Sequence, residues 1–167
     1  ESMLAASFGT GEMANMAIGL LIIPDYIISV LIGGAVSAVL LPAFATRSEE
    51  DAHALFWQAM ALNLVVFLGV ATAIYLQAPY IGQLLYKNPD GEVRDALFWS
   101  MFSLPLGGAS GVVTAWLQHK ERFMAPAFTN VVFNAVIVLT LWFAPSGLTV
   151  LAMGIFAAAA VRLAMHF

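Results

Sequence analysis

The longest apolar stretch of the chain, residues 16–44, is interrupted by Pro24 and Asp25. As a single helix it would be roughly 43 Å long at about 1.5 Å per residue, more than the roughly 30 Å of hydrocarbon in a bilayer. The stretch therefore predicts a membrane-spanning helix that is kinked or tilted. A proline inside such a helix frees a backbone carbonyl, and a carboxylate is costly there unless it faces protein or water. The interruption is the first place to look for a functional site.

The composition indicates an integral membrane protein. Of the 167 residues, 62% are hydrophobic and 10% are charged, whereas about 25% of the residues of a soluble domain are charged. The formal net charge is -4, with most of the acids in two loops, so the chain lacks the basic patch that nucleic-acid binding requires. We expect the lipid bilayer as a partner and no nucleic acid.

The sequence does not predict an enzyme. It contains no cysteine, which excludes disulfide scaffolds, thiolate metal sites and cysteine nucleophiles. It also lacks the GxSxG, P-loop and HExxH motifs, and its histidines, His53, His119 and His166, lie near the ends of the predicted spans. We therefore expect no catalytic residue, no metal and no cofactor.

The apolar pattern predicts an all-α fold, a polytopic transmembrane helical bundle in a single domain over residues 1–167. Full spans are predicted at residues 16–44, 54–78, 96–117, 124–143 and 148–166, after residues 3–8 as the end of a first helix and a turn at residues 9–11. Ser48 and Asp51 fit a capping box, and residues 79–95 are expected to lie outside the hydrocarbon. The small residues at 107–111 permit close helix contact. Because the chain begins at Glu1 rather than at a methionine, we expect a fragment.

The basic residues predict the orientation of the bundle. Alternate loops and span ends place Arg47, Lys120, Arg122 and Arg162 on one face, and Lys87 and Arg94 on the other. Lys and Arg are enriched in cytoplasmic loops. The first face is therefore predicted to be cytoplasmic.

Asp25 is the sharpest candidate for a site residue, because an ionisable group inside an apolar span is by default a functional-site hypothesis. The alternative is that Asp25 caps a half-helix that restarts after Pro24. Pro24 itself is predicted to act as a hinge.

Other polar side chains lie within or at the edges of the spans, among them Ser29, Asn63, Asn130 and Asn134. Asn130 and Asn134 share a helix face. Such a face either forms interhelical hydrogen bonds, which is the commoner role, or lines a wet cavity. For Arg162, in the last span, we expect the long stem to snorkel to the cytoplasmic interface, with a head directed into a cavity as the alternative.

Several segments carry a family resemblance: A-x-x-F-G-x-G ending at Gly11, I-P-D-Y-I at residues 23–27, G-G-A-V-S-A at residues 33–38 followed by L-P-A-F, and R-F-M-A-P-A-F-T-N-V-V-F-N at residues 122–134. In order and approximate spacing they resemble the MurJ (MviN-like) lipid II flippases of the multidrug/oligosaccharidyl-lipid/polysaccharide exporter superfamily. The resemblance covers nearly the whole chain but only the N-terminal portion of a family member. It implies part of the N-terminal lobe of a V-shaped helical bundle with a central, charged cavity.

The resemblance implies transport by alternating access in the bacterial cytoplasmic (inner) membrane, with a polyprenyl-linked saccharide such as lipid II as the substrate. The candidate cavity contacts are Asp25, Ser29, Asn63, Asn130, Asn134 and Arg162, with Pro24 as the hinge. The remaining transporter lobe, or a second copy, would complete the cavity. Two alternatives stay open: an ion- or proton-coupled exporter of drugs or cations, and a membrane scaffold without transport activity.

The chain departs from the family pattern at a few positions. Asn15 stands where an aspartate is usual, Ile28 and Ser29 where arginine is typical, and Gly33 where an acid is common. Arginine matters in such a site because its rigid fork binds phosphate through two hydrogen bonds. The departures favour either a different lipid-linked saccharide or cations that the missing lobe supplies.

Overall fold

The computed structural model describes residues 11–32, 35–85, 91–143 and 147–166, and this part of the chain is a bundle of helices without a strand. The helices are α1 (Glu12–Ile32), α2 (Ala35–Ala45), α3 (Glu49–Leu76), α4 (Ala78–Leu85), α5 (Gly91–His119), α6 (Met124–Phe143) and α7 (Leu148–Ala164). The all-α fold predicted from the sequence is confirmed.

Three described helical segments are long and apolar enough to cross a membrane by length and composition: Glu49–Leu76, Gly91–His119 and Pro126–Phe143. They correspond to the predicted spans at residues 54–78, 96–117 and 124–143. The first and last predicted spans correspond to the shorter apolar runs Ala14–Ile28 and Leu148–Ala164. The predicted end of a first helix, at residues 3–8, lies outside the described residues.

The predicted span at residues 16–44 is two helices rather than one, because α1 ends at Ile32 and α2 begins at Ala35. The change of helix is not at the proline, since α1 continues through Pro24. Asp25 therefore lies inside a continuous helix, and the alternative that it caps a restarting half-helix is wrong. The polar segment at residues 79–95 contains part of α4 and the first turn of α5, and its position outside the hydrocarbon stays a prediction.

The central helix of the bundle is α5, which packs against α1, α2, α3 and α7. Its small residues admit these neighbours, as the sequence predicted. A Cβ placed on Gly108 would lie 2.7 Å from both the Asn63 amide and the Phe67 ring of α3, and a Cβ on Gly107 would overlap Ile28 of α1. Such separations are possible only because glycine has no side chain, so α5 holds two helices at unusually short range.

Two helix N-termini are capped by side chains. Ser48 Oγ accepts a hydrogen bond from the Asp51 amide at 3.2 Å and donates one to Asp51 Oδ2 at 2.7 Å. The predicted cap of α3 is confirmed. In a standard capping box the acidic side chain accepts from the backbone amide of the cap residue, whereas here the Asp51 carboxylate accepts from the Ser48 hydroxyl. At the other end of the bundle, Glu92 Oε1 in the first turn of α5 accepts from the Leu148 amide at 2.8 Å, so α5 caps α7.

An aromatic cluster closes the end of the bundle where α2 ends, α3 begins and α5 ends. Trp116 packs against Phe44 and Phe56, with a centroid distance of 5.2 Å to each ring, and Lys120 lies over its indole. Lys120 also forms an ion pair with Glu49. The loop containing Arg47 and the end of α5 containing Lys120 therefore meet at one end, as the predicted orientation requires. That this end is cytoplasmic stays a prediction.

Candidate functional site

A cavity of about 720 Å³ lies between α1 and α6, with α5 and α7 behind it. In the part of the chain that the structure describes, no Cα of α1 comes within 8 Å of a Cα of α6. The two helices are thus separate walls of one groove. Its polar lining residues are Asp25, Tyr26, Ser103, Asn130, Asn134 and Arg162.

The groove is polar towards one end and apolar towards the other. Along α6, Asn130 and Asn134 precede the lining residues Ile137 and Leu141, and α6 starts at the end of the bundle that carries Lys120. The order is the same on α7, where the apolar Ile155 and Ala159 precede Arg162, which lies near the end of that helix. The apolar half faces the opposite end. This distribution suits a ligand that has both a polar group and an apolar part.

Arg162 projects into the groove. Its guanidinium carbon lies 5.9 Å from the centroid of the Phe133 ring on α6, and its buried Nε has no hydrogen-bond partner among the described residues. Asp25 on the opposite wall is the acid that acts on it electrostatically, but no carboxylate of the described residues lies within 4.0 Å of the guanidinium. The head of Arg162 lies among the groove residues, which is the alternative that the sequence left open, and snorkelling of its stem to the cytoplasmic interface stays a prediction.

The two asparagines of α6 line the same groove. Asn134 Nδ2 donates to the Asn130 carbonyl oxygen of its own helix at 2.8 Å, and both side chains are exposed. Neither amide forms a hydrogen bond to another helix within the described ranges. The structure therefore places this face on the cavity, the second of the two roles that the sequence left open.

The hydrogen bonding around Pro24 explains why α1 is not broken there. Proline has no N–H to give to the carbonyl four residues before it, which in α1 belongs to Leu20. Ser100 on α5 donates its hydroxyl to Leu20 O at 2.7 Å, inside the protein. The carbonyl that the sequence predicted to be free is thus satisfied by a neighbouring helix. Ser100 itself was missed, because its partner on α1 cannot be identified without the packing of the two helices.

The family profile described as lipid II flippase MurJ matches residues 4–167, almost the whole sequence. The chain belongs to the MurJ family. No curated protein and no solved structure matches it. Membership supports, at the level of the family, a transport role of the lipid II flippase type rather than catalysis.

In this MurJ-family chain, the structure brings together most of the predicted site residues. Pro24, Asp25, Asn130, Asn134 and Arg162 all line the groove. Asn63 does not, since it is buried between α3 and α5 against Gly108, with 8% of its surface exposed. The side chain of Ser29 lies outside the described residues.

The groove also contains residues that the sequence did not single out. Tyr26 and Ser103 contribute hydroxyl groups to its lining, and Phe133 contributes the ring beneath Arg162. The sequence signal for Phe133 was its helical spacing of three residues from Asn130. Tyr26 and Ser103 had no such signal. Within the described ranges, no group of three or more His, Cys, Asp or Glu side chains could hold a metal ion.

Proposed function

We propose that the chain forms the cavity-bearing lobe of a flippase that moves a polyprenyl-linked saccharide across the bacterial inner membrane by alternating access. The observation that supports this most directly is the position of Arg162, which has no ion-pair partner among the described residues and lies in a groove that also holds two asparagines. Flipping needs no covalent chemistry. It needs a site whose affinity for the ligand differs between the two states of the protein.

Arg162 is suited to bind the phosphate that joins a saccharide to its lipid carrier. A guanidinium stays charged when it is desolvated and offers a planar fork of donors to phosphate oxygens. Here the guanidinium lies over the Phe133 ring, and its buried Nε has no partner among the described residues. A buried, unsatisfied donor gains more from a new acceptor than one that already bonds to water.

Asn130 and Asn134 are suited to bind the saccharide. An amide both donates and accepts hydrogen bonds, as sugar hydroxyls do. The side-chain nitrogen of Asn134 already donates to the backbone carbonyl of Asn130. This bond holds the side-chain oxygen of Asn134 in a defined direction. Asp25 acts on Arg162 electrostatically without a direct ion pair, and a bound phosphate would compete with it for the guanidinium.

Alternating access is supported by the separation of the groove walls. Because no Cα of α1 lies within 8 Å of a Cα of α6 in the described part of the chain, the two backbones are not packed directly against each other, and we propose that the groove widens and narrows between them. Pro24 lies in the middle of the α1 wall, where we propose that it acts as the hinge. The open side of the groove would be closed by the remaining transporter lobe or by a second copy.

The test is translocation of a labelled polyprenyl-diphosphate saccharide by the intact protein in proteoliposomes. We expect Arg162→Ala to lower the rate about tenfold or more and Arg162→Lys to lower it less, since lysine keeps the charge but not the fork. The matched control is Arg94→Ala, because Arg94 packs on Tyr75 at 5.6 Å, outside the groove. Wild-type rates for both Asp25→Ala and Arg162→Ala would overturn the proposal. So would Asp25-dependent, proton-coupled efflux of organic cations without glycolipid transport.

A further inference from the structure

Ser100 is unusual among the hydroxyl side chains of the bundle. Serine and threonine in a helix commonly return their hydroxyl to a carbonyl of the preceding turn. Ser103 and Thr140 do so, at 2.6 Å to Ser100 O and 2.9 Å to Val136 O. Ser100 instead donates across to Leu20 on another helix, although its residue is completely buried within α5.

The acceptor of this bond is the one carbonyl that Pro24 leaves without its helical donor. In the interior of a membrane protein no water is at hand to replace that donor, so an unpaired carbonyl is expensive. The hydroxyl of Ser100 therefore stands in for a backbone N–H. Its position decides where the first half of α1 is held against α5.

A second attachment holds the other half of α1. Ile28 packs onto Gly107 so closely that a Cβ on the glycine would overlap its side chain. Leu20 and Ile28 lie on either side of Pro24, and Ser100 and Gly107 are their partners on α5. The α1 wall is thus attached to α5 before and after the proline, once by a hydrogen bond and once by packing.

We infer that Ser100 is a positioning residue, whose hydroxyl replaces the N–H that Pro24 lacks and so sets the position of the α1 wall, which carries Asp25, relative to Arg162 and α6. The consequence for transport rests on the proposed function, whereas the hydrogen-bond substitution does not. Without the hydroxyl, the half of α1 before Pro24 is free to move against α5 while Ile28 stays at Gly107. The Asp25 wall then loses its fixed distance from α6.

The first test is a double-mutant cycle on the intact protein, with the apparent Tm as the measured quantity. Ser100→Ala alone should lower the Tm by about 3–8 °C, since it leaves a buried carbonyl unpaired. In a Pro24→Ala background the same change should have little effect, because the residue introduced at position 24 supplies the helical N–H to Leu20 O. The inference requires this non-additivity. Equal losses in both backgrounds would overturn it.

A matched control is available on the same helix. Ser110 is as fully buried as Ser100, but its hydroxyl has no partner among the described residues. Ser110→Ala should leave the Tm unchanged or raise it. If Ser100→Ala alone does not fold, recovery of folded protein by the added Pro24→Ala is the same positive result, and no recovery overturns the inference.

The second test measures the position of the wall directly. The sequence contains no cysteine, so spin labels can be placed uniquely at Tyr26→Cys on α1 and Val138→Cys on α6, which both line the groove. Ser100→Ala should shift or broaden the distance distribution, adding Pro24→Ala should narrow it, and Ser110→Ala should leave it unchanged. An unchanged distribution in Ser100→Ala would refute the positioning role. A positive result in a protein that does not translocate glycolipid would refute only the proposed function.

Discussion

Ser100 donates a hydrogen bond from α5 to the Leu20 carbonyl of α1 at 2.7 Å, four residues before the proline that removes that carbonyl's helical partner. A residue that breaks helices in water is therefore accommodated within a continuous helix. The accommodation depends on α5, which also packs against α2, α3 and α7. The contacts of α5 are accordingly where substitutions should have the largest effects.

Gly108 is predicted to be intolerant of any side chain. A methyl group there would lie 2.7 Å from both Asn63 and Phe67, so Gly108→Ala should destabilise the protein by about 1–3 kcal/mol through overpacking. The control is Gly69→Ala on α3, where an added Cβ meets nothing within 4 Å and helix propensity favours alanine. Thermal unfolding in detergent micelles measures the stability of both variants. A loss for Gly69→Ala as large as that for Gly108→Ala would contradict the packing explanation.

Glu92 is predicted to hold the N-terminus of α7. Its carboxylate accepts from the Leu148 amide at 2.8 Å, and an acid at a helix N-terminus also interacts favourably with the helix dipole. Glu92→Ala should cost about 1–2 kcal/mol, and Glu92→Gln should cost less because its amide oxygen still accepts. Hydrogen exchange of the first turn of α7 should accelerate in Glu92→Ala. Asp95→Ala, at an exposed position of the same helix, serves as the control and should leave that exchange unchanged.

The aromatic cluster, rather than the ion pair beside it, is predicted to stabilise the end of α5. Trp116→Ala removes ring contacts to Phe44 and Phe56 and should cost about 3 kcal/mol. The Glu49 side chain is 82% exposed, and exposed pairs contribute little, so Glu49→Gln should scarcely change the Tm. The measurement is the Tm of both variants at low and at high salt. A larger loss for Glu49→Gln than for Trp116→Ala would show that charge, not packing, holds this end together.

The groove is predicted to be accessible to water. Asn134 and Leu139 are both exposed on α6, but only Asn134 lines the groove. A charged maleimide should therefore label Asn134→Cys quickly and Leu139→Cys slowly, since the second position faces the lipid or another part of the transporter. The measurement is the labelling rate in membrane vesicles. Equal rates at the two positions would mean that the groove is not a separate aqueous compartment.

Much of the fold follows from local pattern. The apolar lengths located α3, α5 and α6 to within a few residues, and Ser48 with Asp51 correctly marked the start of α3. Residues 16–44 were predicted as one span with its interruption at Pro24, whereas the change of helix lies between Ile32 and Ala35, because whether a proline breaks a helix depends on what its freed carbonyl meets. Residues 78–85 were not recognised as a helix, since eight residues are too few for periodicity to be decisive.

The residues of the candidate site could also be predicted only in part, because their surroundings depend on how the helices pack. An acid, a cation and an asparagine pair in apolar spans were enough to select Asp25, Arg162, Asn130 and Asn134. They were not enough to exclude Asn63, which has the same chemistry but faces Gly108 between α3 and α5. A polar residue in a span must face protein or water, and the sequence does not say which.

The sequence by itself determined the membrane class, the helical fold, the family and the residues able to bind a polar ligand, because these depend on composition, apolar length and residue type. Only the tertiary structure decided that Arg162 lies over Phe133 in the groove, that the backbones of α1 and α6 are not packed directly together, and that Ser100 supplies the hydrogen bond that Pro24 cannot. Each of these is a relation between residues distant in the chain. It exists only once the helices have packed at particular distances, and those distances are fixed by small residues such as Gly107 and Gly108 on α5.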